Sequence, residues 1–229
     1  MNKRLVLLAL LIPTACALWG GDTAIFVDLG FSADGRTYMF GQYGIRSGTL
    51  VPWADLYAVD VFSNNYVPGG KISYVHDSSV SAGHDGSGAL YRLIARNAAL
   101  ADRYNVGYLR QGQILYVSVE NGGWSGAGTV EFRDFEKAVS FRAVLTGSGY
   151  GTGEGSSFFI SLERINRDGS LRTYTVGNAG IRRPGIVSYR IRRVLAAPQN
   201  GALIFVIEMK KQNPDGSTNI RYMVEALRL

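Results

Sequence analysis

FFISLERINRDGSLRTYTV, residues 158–176, reads as two strands and the turn that joins them. Phe158 to Ile165 and Leu171 to Val176 are short runs rich in Phe, Ile, Leu, Tyr, Thr and Val, with Asp168-Gly169 between them. The glycine takes positive φ at little cost and the aspartate can bond its own backbone, so the pair favours a tight reversal. The pattern recurs at Asp34-Gly35, Asn200-Gly201 and Asp215-Gly216. Further candidate strands run over Ala24 to Gly30, Thr37 to Tyr43, Leu56 to Val61, Ile114 to Val119, Thr129 to Arg133, Val139 to Leu145, Val187 to Val194, Leu203 to Met209 and Ile220 to Leu227. Short strands at regular spacing, in a chain with 29 glycines and 11% aromatic residues, predict a mainly β, antiparallel fold, built as a sandwich or a propeller-like stack.

One segment departs from this period. Between Ser87 and Tyr104, Leu90, Leu93, Ile94, Ala98, Ala101 and Tyr104 recur at helical spacing, with Arg92, Arg96 and Arg103 among them. This predicts one amphipathic α-helix over about residues 87–104, packed on a sheet. Asp85 or Ser87 would cap its start, and Asn105 with Gly107 would end it.

The first residues carry a different signal. Lys3 and Arg4 precede an apolar run from Leu5 to Ile12, too short to span a bilayer, and Ala15-Cys16-Ala17 follows. Residues 1–17 are therefore expected to be a signal peptide, with residues 18–229 forming a single mainly β domain. Two processing routes compete: cleavage after Ala17, or lipid attachment at Cys16 after Ile12-Pro13-Thr14-Ala15, to which Pro13 is a poor fit. Cys16 is the one cysteine of the chain, so no disulfide framework can form. Two of the 24 basic residues fall in the leader, which lowers the formal charge of +6 by two. That balance does not point to nucleic acid, and no later stretch is long and apolar enough for a transmembrane helix.

The two ends of the mature chain resemble each other. Asp34-Gly35 leads into Tyr38-Met39-Phe40 and then Tyr57-Ala58-Val59-Asp60; Asn200-Gly201 leads into Leu203-Ile204-Phe205 and then Tyr222-Met223-Val224-Glu225. The distance from turn glycine to tyrosine is 22 residues in one case and 21 in the other, a spacing that any two Gly-turned hairpins could also share. Phe31-Ser32-Ala33-Asp34-Gly35-Arg36, with Phe40 and Asp55-Leu56-Tyr57-Ala58-Val59-Asp60, resembles one unit of WD-like β-propellers of bacterial periplasmic proteins. A closer resemblance, from about Ala24 onward, is to a family of predicted secreted bacterial proteins of unknown function. It is carried by Gly30 to Arg36, Gly41-Gln42-Tyr43-Gly44, Arg182-Arg183-Pro184-Gly185, Tyr189-Arg190-Ile191 and Ile220 to Glu225. The resemblance implies export and supplies no catalytic residue.

Chemistry-bearing residues are sparse. Arg182, Arg183, Arg190 and Arg192, with Arg193, gather charge around Pro184-Gly185. In a regular strand Arg190 and Arg192 would share a face with Ser188, opposite Tyr189, Ile191 and Arg193. Such a ridge could bind phosphate or carboxylate groups bidentately, or serve as solvated strand edges that deter aggregation. His76-Asp77 and His84-Asp85 lie eight residues apart in a polar loop, without the spacing or third ligand group of a metal site. Gly147 to Gly155 lacks the Lys-Ser/Thr and the helix of a phosphate loop, and reads as a hairpin connection. Glu120, Glu131, Asp134, Glu136, Glu154 and Glu163 lie on or near strands and could pair for glycoside hydrolysis. Trp53 and Trp124 could stack on sugars or anchor the core.

These observations lead to an exported envelope protein, periplasmic or secreted, acting as a non-catalytic binding or structural module. It would meet an envelope polymer, a lipid or a protein partner through loops and basic residues. No metal or cofactor is expected. The alternative is a secreted hydrolase acting on carbohydrate through paired carboxylates.

Overall fold

The computed structural model of the protein describes residues 21–119, 127–151 and 154–229. Its elements run β1 (Ile25–Ser32), β2 (Thr37–Ile45), β3 (Pro52–Asp60), β4 (Asn65–Val75), α1 (Ser87–Arg96), α2 (Ala98–Arg103), β5 (Val106–Gly107), β6 (Gln113–Val117), β7 (Ala127–Asp134), β8 (Val139–Ser148), β9 (Ser157–Ile165), β10 (Leu171–Val176), β11 (Ile186–Ala196), β12 (Leu203–Gln212) and β13 (Thr218–Leu227). Each strand expected from the sequence is present. The two that were not foreseen are β4, where Pro68-Gly69-Gly70 interrupts the alternation, and the two-residue β5.

The strands form three antiparallel sheets, ordered β4-β3-β2-β1-β5, β13-β12-β11-β6 and β10-β9-β8-β7. Three apolar clusters show how they stack. Phe31, Tyr38, Phe40 and Val59 of the first sheet meet Leu195, Ile204, Val206 and Val224 of the second. Tyr189, Ile191, Phe205 and Ile207 of that second sheet meet Phe132, Phe141, Ile160 and Leu162 of the third. Leu29, Met39 and Leu56, on the far side of the first sheet, receive Leu90, Leu93 and Leu100 from the helices. The sheet containing β11–β13 is thus central and covered on both faces, which explains why Leu203 to Ile207 is uninterrupted apolar sequence in place of an alternating one. The sheets stack as layers, and the described residues form no closed barrel or propeller. The segment that resembles a propeller unit is part of the meander β1–β4.

Two local departures matter. The expected single helix is two, because the Asn97 side-chain amide donates to the Leu93 carbonyl at 2.8 Å and ends α1. The cap position of α1 is Gly86, without a side-chain cap bond, and not the expected Asp85 or Ser87, although Asp85 accepts the Ser87 N–H at 3.0 Å just ahead of it. The expected end fits, as Asn105, with φ +50°, follows α2. In β11 the register shifts between Ile191 and Arg193. This bulge resets the alternation, so Val194 follows Ile191 into the cluster facing the third sheet. Arg193 instead lies over the Phe26 ring of the first sheet, and does not share the face of Tyr189 and Ile191 as regular alternation would require.

Candidate functional site

A cleft of about 700 Å³ opens where the central sheet ends at its edge strand β13. Arg221 to Glu225 of β13 form its floor. Tyr57, Tyr66 and Lys71 of β3 and β4 line one wall, and residues 177, 178, 181–184 and 186 with Met209 and Lys211 line the other.

An edge strand presents unpaired backbone groups, and here most of the described donors are covered. Ile220 gives its N–H to the Asp22 carbonyl and accepts the Ala24 N–H, so the segment ahead of β1 pairs with β13. Tyr222 N–H goes to the Gln42 side-chain carbonyl at 2.8 Å and Ala226 N–H to the Asn64 side-chain carbonyl at 2.7 Å. Gln42 is 2% exposed, and its amide nitrogen donates to Asp55 and Tyr57. Asn64 holds φ +52°, a conformation asparagine tolerates better than most residues.

The carboxylates of the cleft already have partners. Glu225 is buried, accepts from the Asn64 amide and pairs with Arg183 at 3.4 Å. Burial raises its pKa, with the Asn64 hydrogen bond and the Arg183 charge opposing. Asp55 accepts from Gln42. Arg221 makes a two-point contact with buried Asp22, at 2.7 and 2.9 Å, and lies 4.1 Å from the Trp53 ring centroid. Lys71, Arg182 and Lys211 are exposed, and none has a carboxylate within 4 Å among the described residues. Tyr66 is 48% exposed and stacks on buried Tyr57. Burial also raises the Tyr57, Tyr66 and Tyr222 hydroxyl pKa values.

The structure divides the four arginines of the basic segment. Arg182 and Arg183 line the cleft. Arg190 and Arg192 meet Glu208 of the central sheet, which also accepts from the Tyr222 hydroxyl at 2.8 Å. Of the candidate carboxylates, Glu131 and Glu163 meet on the outer sheet through Arg142, at 3.7 and 3.8 Å, and Asp134 accepts the Glu136 and Lys137 N–H groups of a turn. Trp53 is 5% exposed beneath Arg221, an anchor with no free face for stacking. His76 pairs with Asp77 at 3.6 Å, and no metal-binding cluster of three or more residues exists among the described residues. Gly147 and Ser148, expected in a connection, are the last residues of β8 and pair with Phe158 and Ser157, whereas Gly149 to Gly151 do lie in the connection between β8 and β9. Residues 1–17 with Cys16, Glu120 and Trp124, and Thr152-Gly153 of that connection, lie outside the described residues.

Sequence reasoning did not single out Asp55, Asn64, Tyr66, Lys71 or Lys211 as site residues. A signal was present, because three stretches that carry the family resemblance, around Gln42, Arg182 and Tyr222, converge on the cleft. Residues 39–228 match a family described as predicted secreted protein, DUF2259. The chain belongs to that family. The DUF2259 match covers the cleft floor and both walls and supports an exported location. Comparison with curated proteins and with solved structures gives no match. No helix among the described residues is long and apolar enough to cross a membrane.

Proposed function

We propose that this DUF2259 protein is a non-catalytic binding module of the cell envelope, exported on residues 1–17, that holds an anionic envelope component in the β13 cleft. The observation that carries the reading is an imbalance of uncompensated charge. Asp55 and Glu225 are engaged within the protein, whereas Lys71, Arg182 and Lys211 are exposed without a carboxylate partner among the described residues. A concave site lined by cations of this kind raises the local concentration of anions. Arg182 retains the role suggested for the basic segment; Arg190 and Arg192, drawn onto Glu208, serve the fold.

The test is binding of the purified mature protein to isolated envelope material, with and without the changes Lys71→Glu, Arg182→Glu and Lys211→Glu made together. Retention should fall steeply with the triple change and with added salt. Equal retention of wild type and triple variant would remove the cleft from this role. Turnover of envelope glycan by the wild type, abolished by Glu225→Gln, would instead favour the hydrolase reading.

A further inference from the structure

We infer that the cleft recognises an oxyanion, a carboxylate or phosphate on an acidic sugar unit, with the backbone N–H of Val224 as a central donor. The inference rests on the binding role proposed for the cleft and specifies its ligand.

The argument begins with the edge of β13. In the antiparallel ladder with β12, residues 220, 222, 224 and 226 direct their backbone groups away from β12, as the bonds made by Ile220, Tyr222 and Ala226 show. A peptide that added a strand here would need a succession of these groups. Ile220 is occupied on both sides by Asp22 and Ala24, Tyr222 N–H by Gln42, and Ala226 N–H by Asn64. The Val224 N–H, between the two side-chain amides and on the cleft floor, meets no acceptor in the described structure. The edge is therefore closed to an extended peptide and open to one acceptor at one point.

The walls define that acceptor's chemistry. Lys71 stands on one wall, Arg182 and Lys211 on the other, so a group bound at the floor lies between cations. A backbone N–H flanked by cations that have no carboxylate partner among the described residues, Arg182 donating to the Gly155 carbonyl and Lys71 lying over the Tyr66 ring, favours an ionised oxygen over a neutral carbonyl, because charge-assisted bonds are the stronger. Ser63, Asn65 and Asn178 add uncharged hydrogen-bonding groups to the lining, and the exposed ring of Tyr66 adds an apolar surface. That mixture suits a ligand bearing hydroxyls and an apolar ring face as well as a charge, which describes an acidic sugar.

The experiment is a backbone amide titration of the ¹⁵N-labelled mature protein. The probes are a uronic-acid tetrasaccharide, its neutral counterpart, a hexose phosphate, phosphatidylglycerol vesicles and an acidic hexapeptide. The Val224 amide should shift with the uronate, the hexose phosphate or both, the comparison identifying the oxyanion, while the Tyr222 and Ala226 amides stay nearly still. Lys71→Glu with Lys211→Glu should weaken that binding about tenfold or more. Equal binding of the neutral tetrasaccharide, binding by vesicles alone, or binding of the hexapeptide with shifts at Tyr222 and Ala226 would overturn the inference. Failure of all five probes while envelope material is still retained would overturn it too, and leave the proposed binding role standing. Failure of both would overturn the role itself.

Discussion

The side-chain carbonyl of Gln42 accepts the backbone N–H of Tyr222 at 2.8 Å, joining the first sheet to the edge of the central one. The same side chain donates to Asp55 and to the Tyr57 hydroxyl. Its burial is tolerable because both ends of the amide are satisfied. At the other end of the cleft Asn64 repeats the device on Ala226 and adds a bond to Glu225. One amide from the first sheet and one from its β3–β4 turn thus protect the edge of another sheet, and the cleft is the gap they leave.

Gln42→Leu should lower stability by about 1–3 kcal/mol, since Tyr222 N–H loses its acceptor in a part-buried site and Asp55 loses a donor. The urea midpoint should fall with little change in slope. An unchanged midpoint would mean that the amide contributes nothing net to the joint between the sheets.

Glu225 gives a pH signature. Its folded-state pKa is raised above the ordinary carboxylate value, first by burial, so the folded protein binds this proton more tightly than the unfolded chain. The associated stability is fully present below the unfolded pKa and is lost as pH rises through the folded one. Glu225→Gln removes that titration. The stability difference, variant minus wild type, should therefore move in the variant's favour as pH climbs from about 4.5 and level off above the folded pKa. A flat difference across that range would refute the assignment.

Much of this fold was legible in the sequence, and the reasons are local. The Asp168-Gly169 and Asn200-Gly201 turns mark their hairpins because glycine there takes φ of +81° and +66°. The layer order was not legible, because an apolar run such as Leu203 to Ile207 does not say which sheet covers either face. β4 was hidden by Pro68-Gly69-Gly70, and the bulge after Ile191 could not be seen from alternation that assumes a regular strand. The site was harder still. Gln42 and Asn64 matter through backbone groups that lie 180 and 162 residues away, and no local pattern encodes such a pairing. The internal resemblance did carry spatial information. Its two turns pack together, the Asn200 amide donating to the Gly35 carbonyl at 3.1 Å, and its two tyrosines, Tyr57 and Tyr222, both line the cleft.

Arg221 should fix the segment ahead of β1 on β13. Its two-point contact with Asp22 and its position over the Trp53 ring suit a planar guanidinium better than an ammonium. Arg221→Ala should speed hydrogen exchange at the Ala24 and Ile220 amides by about tenfold or more while leaving the middle of β12 unchanged, as expected of local opening. Arg221→Lys should fall between. Equal acceleration in β12 would show that the change acts on global stability.

Two charge clusters offer a controlled contrast. On the outer sheet Arg142 joins Glu131 and Glu163, with side chains 50%, 74% and 37% exposed. Water screens such a group, and Arg142→Ala should cost about 0–1 kcal/mol. Glu208, with a side chain 5% exposed, serves Arg190, Arg192 and the Tyr222 hydroxyl at once. Glu208→Ala would leave two partly buried guanidinium groups without this carboxylate, at a cost of about 3 kcal/mol or more. Arginine content alone would rank the clusters together; burial separates them. Equal denaturation midpoints for the two variants would show that Arg190 and Arg192 reach solvent on losing Glu208, which would return them to the set of cations available to a ligand.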